Sequence, residues 1–87
     1  MATEIVMYGS DWCGFTVRAK RQLDEWGVAY RYVDVDQTPD GEELLSKWSN
    51  GPAIRPALDL GDEVLVNPAA EVLRAKLTER GLLAADR

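Results

Sequence analysis

The most reactive side chain in this sequence is a single thiol. Cys13 is the only cysteine, and it stands between residues 4–8, which predict a strand, and residues 16–26, which predict a helix. The first N–H groups of a helix have no internal partner and the helix dipole is positive there, so a thiol at this point is stabilised as thiolate. Because the thiolate is the attacking form, the position favours a reactive thiol over the buried apolar role that a free cysteine usually has.

Having one thiol limits the reactions open to the chain. One cysteine forms neither an intramolecular disulfide nor a multi-cysteine metal site, and the absence of histidine excludes Ser-His, Cys-His and zinc-histidine chemistry. Thr16 either makes a local first-turn hydrogen bond or donates its hydroxyl to the Cys13 sulfur, but it cannot attack a mixed disulfide. Any redox cycle is therefore monothiol, with Cys13 taking over a small thiol that a second small thiol then releases.

Length and charge restrict the class of protein. The 87 residues fit one small domain, residues 1–87. The formal charge of −5 argues against a nucleic-acid partner. The first residues lack the pattern of a signal peptide, and no stretch predicts a membrane span. We therefore expect a soluble cytoplasmic protein with no membrane partner.

The first half of the chain predicts a βαβ unit. An apolar stripe of Phe15, Ala19, Leu23 and Trp26 predicts a helix that Gly27 ends. Residues 28–35 alternate polar and apolar side chains and predict a second strand. Because a crossover helix joins them, the two strands are expected to be parallel.

The second half predicts a helix, a hairpin and a last helix. Each of these helices is predicted to begin with a capping residue followed by proline, Thr38-Pro39 and Asn67-Pro68. Between them, residues 53–60 and 63–66 flank a Gly-Asp pair that predicts a hairpin turn. The expected fold is α/β, βαβαββα, with a four-stranded mixed sheet and helices on both faces.

The loop around the thiol carries a family resemblance. Trp12-Cys13-Gly14-Phe15-Thr16, after a strand that ends in Tyr-Gly-Ser, resembles the active-site loop of glutaredoxins, mycoredoxins most of all, with Thr16 in place of the second cysteine. The resemblance extends from residue 5 to about residue 77. It implies a thioredoxin-like fold and thiol–disulfide oxidoreductase activity, with Cys13 and Thr16 as catalytic residues.

A second segment of the resemblance concerns Pro56. Ile54-Arg55-Pro56 stands where the family has Thr-Val-Pro, whose cis proline faces the cysteine and whose backbone pairs with an extended thiol or peptide. The alternative is a trans proline that starts a strand. Arg55 departs from the small apolar residue of the family. Its guanidinium either reaches a carboxylate of the bound thiol or lowers the Cys13 pKa, or it is a solvated edge charge.

The resemblance also bears on the co-substrate and partners. Asn67-Pro68-Ala69-Ala70 lacks the Gly-Gly-x-Asp loop of glutathione-using glutaredoxins and is similar to the Asn-Pro-Ser segment of mycoredoxins. This favours mycothiol or bacillithiol over glutathione, with Asn67 and Ala69 as thiol-binding residues and an anion held by the N–H groups around Ala69 and Ala70. The expected partners are mixed disulfides of proteins, docked on Trp12 and Phe15, and the expected state is a monomer without a permanently bound cofactor.

Two alternatives remain open on the sequence. Monothiol glutaredoxins with a Cys-Gly-Phe-Ser loop hold a [2Fe–2S] cluster between two subunits, and Cys13 is the one candidate ligand here. Trp12 and the lack of a lysine before Cys13 differ from that group. The other alternative is a redox-inactive module that keeps the fold for protein contacts.

Overall fold

The computed structural model describes residues 4–83 and contains the predicted elements in the predicted order. A 3-10 helix, Val35–Gln37, is an addition that the sequence patterns did not predict. The second strand is confined to 31–34 within the predicted 28–35. The elements are the strands β1 (Val6–Gly9), β2 (Arg31–Asp34), β3 (Ala57–Asp59) and β4 (Val64–Val66), and the helices α1 (Gly14–Trp26), α2 (Gly41–Ser49) and α3 (Ala70–Glu79).

The four strands form one mixed sheet in the order β2-β1-β3-β4. β1 and β2 are parallel, with Val6 opposite Arg31. β3 is antiparallel to β1 and forms the predicted hairpin with β4, in which Ala57 lies opposite Val66. β1 is therefore an interior strand, and the loop that follows it leaves the middle of the sheet.

Helices cover both faces of this sheet, as predicted. Successive residues of a strand point to opposite faces, and in β1 and β3 they join different clusters. Met7 and Leu58 pack with residues of α1 and α3. Ala57 packs with Leu45 of α2 and with Val35 of the 3-10 helix. The larger cluster also includes Leu82 and Leu83, so these two leucines of the predicted tail dock. Residues 84–87 of that tail lie outside the described residues.

α2 begins later than Thr38 and Pro39 predicted. Its first residue is Gly41, and Asp40 precedes it with a φ of 65°. The hydroxyl of Thr38 donates instead to the Asp34 carbonyl at 2.8 Å, which ties it to the end of β2. Gly41 is required by close approach, because a Cβ there would lie 2.6 Å from the carbonyl oxygen of Val35.

α3 also begins later than its Asn-Pro pair predicted. Its first residue is Ala70 and its N-cap is Ala69, while Asn67 adopts a φ of 43°. The Asn67 N–H donates to the Pro56 carbonyl at 2.7 Å, which fixes the segment before α3 against another loop, and no side chain caps α3. Ala70 is exposed rather than part of the apolar stripe, whereas Leu73 and Leu77 are buried as predicted.

The predicted helix ends are confirmed. Gly27 and Gly81 have φ values of 71° and 74°, in the left-handed region that favours glycine. Within residues 4–83, none of the helices combines the length and the apolar character needed to cross a membrane.

A salt-bridge cluster joins the β3–β4 turn to the end of α3 and makes stability depend on pH. Arg80 contacts Asp62 at 2.6 Å and Glu63 at 2.7 Å, and hydrogen bonds from Arg80 lower the pKa of both carboxyls. A lowered folded-state pKa stabilises the fold above the unfolded-state pKa, and the effect is lost as pH falls through the folded-state value.

We predict that Arg80→Met lowers the free energy of unfolding at neutral pH and that the difference from the wild type shrinks in acid. Urea unfolding across that range measures both values. Arg21→Met, an exposed arginine of α1, serves as the control and should change little. A difference that stays constant at all pH values would contradict the assigned role of the two carboxylates.

Candidate active site

Cys13 occupies the junction between β1 and α1. It is the N-cap residue of α1, and its own N–H donates to the Ser10 carbonyl at 3.1 Å, which closes the turn after the strand. Only 9% of the residue is exposed, and its Sγ lies 4.0 Å from the carbonyl oxygen of Arg55. The thiol is thus placed at the helix start, as predicted, and faces the loop that precedes β3.

The surroundings of the sulfur favour the thiolate. Burial alone would raise the pKa of Cys13, but hydrogen bonds from the N–H and hydroxyl of Thr16 and from the N–H of Phe15, with the charge of Arg55, outweigh it. The pKa of the Cys13 thiol therefore lies below its ordinary value. The donors are those of the first helical turn, which is the effect expected of a helix N-terminus.

Thr16 links the thiol to the end of the strand. Its side chain is fully buried, and its Oγ1 accepts the Ser10 N–H at 3.4 Å while the same hydroxyl is available to the Cys13 sulfur. A Cβ on Gly9 would lie 2.6 Å from both Oγ1 and Cγ2 of Thr16. Gly9 therefore leaves the space that Thr16 occupies, and Thr16 holds the strand end against the helix start.

The two later loops of the predicted site lie side by side. The Arg55-Pro56 peptide bond is cis, and Pro56 is buried. The hydrogen bond from the Asn67 N–H to the Pro56 carbonyl joins the loops directly. Ile54 is 40% exposed, and its N–H donates to the Ser49 hydroxyl at 3.3 Å. The backbone of Ile54 is thus tied to α2 at this position.

Arg55 is not the solvated edge charge of one sequence alternative. Its side chain is only 10% exposed and forms an ion pair with Glu42. The guanidinium lies over the ring of Trp12, 5.1 Å from the ring centroid, and its Nε is buried without a hydrogen-bond partner among residues 4–83. The charge also contributes to lowering the Cys13 pKa, as the other alternative expected.

Trp12 and Phe15 are exposed on either side of the thiol. Trp12 is 68% exposed, and its Nε1 donates to a carboxylate oxygen of Asp36 at 2.7 Å. Phe15 is 52% exposed and carries the Arg18 guanidinium over its ring at 5.3 Å. Both aromatic rings are therefore accessible, and each is held by a polar neighbour that the sequence patterns did not single out.

A groove of about 370 Å³ lies between α1 and the start of α3. It brings together four predicted site residues and three polar side chains, one of which, Asn67, belongs to both sets. The other predicted site residues do not line it, namely Trp12, Cys13, Thr16, Ile54 and Arg55. Its walls are formed by Phe15, Arg18, Ala19, Gln22, Pro56, Asn67, Pro68, Ala69, Ala70 and Leu73.

Sequence reasoning missed the residues that hold the loop from a distance. Asp36 lies in the 3-10 helix, and Glu42 lies in the first turn of α2, where an acidic residue suggests only helix electrostatics. The carboxylate of Asp11 is contacted by Tyr32, whose hydroxyl donates to it at 2.9 Å, and by the Lys20 ammonium at 3.5 Å. Burial and this hydrogen bond to Asp11 raise the pKa of Tyr32. No local pattern identifies such long-range pairs.

The family of proteins to which this chain is similar agrees with the geometry of the site. The glutaredoxin family model matches residues 5–65. The chain belongs to the glutaredoxin family. Its members are thiol–disulfide oxidoreductases. The predicted class of activity and the predicted thioredoxin-like fold are therefore confirmed as properties of the family.

The individual glutaredoxins compared with this chain have low sequence identity to it, between 18% and 29%. A protein of Mycobacterium tuberculosis H37Rv whose name assigns it to the glutaredoxins is 29% identical over 76 residues, which cover 86% of this chain and 90% of that protein. Among solved structures, glutaredoxin from Brucella melitensis has a TM-score of 0.73 at 18% identity and covers all of this chain and 96% of that one. A buckwheat glutaredoxin–glutathione complex has a TM-score of 0.72 at 23% identity, with coverage of 94% and 83%. These two similarities show the fold.

The contact between Thr16 and Cys13 leads to a direct prediction. Thr16→Val removes the hydroxyl but keeps the branched shape, so the pKa of Cys13 should rise and its alkylation by iodoacetamide at neutral pH should slow. Thr16→Ser keeps the hydroxyl and is the matched control. Alkylation rates measured against pH report the shift, and identical profiles for the two variants would rule out a role for the hydroxyl.

Proposed function

We propose that this glutaredoxin works by a monothiol cycle in which Cys13 reduces mixed disulfides between proteins and a low-molecular-weight thiol. The observation that carries the proposal is the pairing of the sole cysteine with a hydroxyl at position 16. Hydrogen-bond donors of the first turn of α1 lower the pKa of the Cys13 thiol and so favour its thiolate form. Thr16 stabilises that thiolate, but it offers no sulfur for a resolving step.

The cycle consists of two exchange steps. In the first, the Cys13 thiolate attacks the sulfur of the small thiol in the mixed disulfide. A new S–S bond forms, and the protein sulfur leaves as a thiolate that takes up a proton. In the second, the thiolate of another small thiol attacks the same sulfur. This releases the symmetrical disulfide and restores the Cys13 thiolate. The incoming small thiol supplies the reducing equivalent, because its sulfur is oxidised to the disulfide while the protein sulfur is reduced to a thiol.

The groove beside Cys13 is proposed to hold the small thiol. It adjoins the cis proline and the start of α3, where free N–H groups and the positive end of the dipole favour an anion. Trp12, Phe15, Ile54, Arg55, Pro56, Asn67 and Ala69 are the residues proposed to contact the thiol or the protein substrate. The Asn67-Pro68 segment favours mycothiol or bacillithiol, and the buckwheat complex makes glutathione the reference compound.

The iron–sulfur alternative is less well supported by the residues of this chain. One copy offers a single thiolate, and residues 4–83 hold no group of three or more His, Cys, Asp or Glu side chains placed to bind a metal ion. A [2Fe–2S] cluster would therefore take Cys13 from each of two copies and the remaining ligands from small thiols. Reconstitution with iron and sulfide tests this alternative, which a colourless monomer would contradict.

The cycle predicts a covalent intermediate on Cys13. Protein incubated with the disulfides of glutathione, mycothiol and bacillithiol in turn should gain the mass of one small thiol, and the wild-type protein should lose it again on adding the free thiol. Cys13→Ser is the control and should gain no mass. If none of the three disulfides modifies Cys13, the proposed activity is wrong and the redox-inactive module becomes the better hypothesis.

A second prediction concerns position 16. In Thr16→Cys the new thiol faces the Cys13 sulfur, so it should attack the mixed disulfide on Cys13, expel the small thiol and leave an internal disulfide. Non-reducing peptide mapping detects that bond, and insulin reduction measures the thioredoxin-like activity that should accompany it. A variant that keeps only the monothiol cycle would show that position 16 does not reach the sulfur.

A further inference from the structure

The two sides of the Cys13 approach carry different chemistry. On one side is the groove between α1 and α3, with the polar side chains of Arg18, Gln22 and Asn67. On the other is a row of contacting side chains formed by Asp36, Trp12, Arg55 and Glu42. We refer to this second set as the Arg55 wall. The groove is proposed to hold the small thiol, and this proposal gives the Arg55 wall no role.

The side chains of the Arg55 wall contact one another in an unbroken row, and the positive charge of Arg55 is paired within that row. The indole Nε1 of Trp12 donates to Asp36 at 2.7 Å, and its ring is covered by the Arg55 guanidinium. The same guanidinium is paired with Glu42 at its outer end. The guanidinium is thus already paired with one carboxylate, that of Glu42, while Asp36 accepts from the indole, so the wall has no uncompensated positive charge to offer to an incoming anion.

Arg55 is nevertheless a cation whose backbone adjoins the position of a molecule joined to Cys13. Its carbonyl oxygen lies 4.0 Å from the sulfur, and its side chain starts from the same residue. A guanidinium binds carboxylates through several N–H donors, so an acid group extending in this direction would otherwise find a strong partner. Glu42 already occupies that partner, and Arg55 is nine-tenths buried against Trp12.

An acidic substrate on this side would therefore have to replace Glu42. The displaced carboxylate would lose its counter-charge and would stand beside the incoming one, and like charges at close range repel. A neutral substrate has no such competition to overcome. A cationic substrate would be attracted by the carboxylate that remains.

We propose that Glu42 is a specificity-determining residue: its carboxylate takes the position on Arg55 that a carboxylate of the small thiol would occupy. The site thereby selects against thiols that are anionic on the Trp12 side of their sulfur. The small thiol of this protein is then one whose acid or hydroxyl groups lie toward the α1–α3 groove. This inference rests on the proposed exchange of Cys13 with small-thiol disulfides.

The test uses three symmetrical disulfides of similar size and different charge. 3,3′-Dithiodipropionic acid is anionic, bis(2-hydroxyethyl) disulfide is neutral and cystamine is cationic. The rate at which each modifies Cys13 is followed by mass spectrometry in the wild type and in Glu42→Gln. The variant should raise the anionic-to-neutral rate ratio by about ten- to a hundredfold, the range expected for one charged hydrogen bond. The cationic-to-neutral ratio should fall.

Ratios separate this effect from a change in the thiol itself. Freeing Arg55 from Glu42 also alters the charge felt by Cys13, but that change affects the rates with all three disulfides alike and cancels. Glu43→Gln is the matched control, because Glu43 is an exposed neighbour in the same first turn of α2. It removes the same charge without touching Arg55, so its ratios should remain near those of the wild type.

The outcomes are distinct. If Glu42→Gln leaves both ratios unchanged while Cys13 is modified normally, Glu42 does not determine specificity. If Glu43→Gln changes the ratios as much as Glu42→Gln does, the effect is one of overall charge and the proposal is wrong. If none of the disulfides modifies Cys13 in the wild type, the proposed monothiol activity itself fails.

Discussion

The contact of Thr16 with the end of β1 is the constraint on which the site depends. One buried hydroxyl accepts the Ser10 N–H and also serves the Cys13 sulfur, which its single donor and two lone pairs allow. The Thr16 side chain fits only because Gly9 has no Cβ. The same residue therefore fixes where the strand ends, how the loop turns and how the charge of the thiolate is held.

The rest of the site is assembled around this point by loops that are distant in sequence. The hydrogen bond between Asn67 and Pro56 brings the start of α3 against the cis-proline loop and so forms the groove. On the opposite side, Glu42 orients Arg55 over Trp12. An open polar groove and an ion-paired wall thus lie on the two sides of the loop that carries the thiol.

The patterns that were predictable from sequence are local ones. The helix around Leu23, the hairpin at Gly61 and the position of Cys13 at a helix start each follow from periodicity or turn chemistry within a few residues. The fold class followed because a crossover helix forces its two strands to be parallel.

The features that sequence patterns missed are set by tertiary contacts. Thr38 and Asn67 both have good capping chemistry, yet each hydrogen-bonds to a different loop or strand, and the helices start later. The Glu42–Arg55 pair spans 13 residues and the Asp36–Trp12 pair spans 24. Charges at such separations have no periodic signal, so their partners became known only from the folded structure.

The shortness of the strands has a consequence for how this protein behaves among other chains. The two edges of the sheet are β2 and β4, with four and three residues. An exposed edge is a template for unwanted pairing with another strand, and its danger grows with its length and flatness. β2 also begins and ends with charged residues, Arg31 and Asp34. Edges this short leave few free backbone N–H and C=O groups, so we expect little edge-to-edge pairing with strands of other molecules.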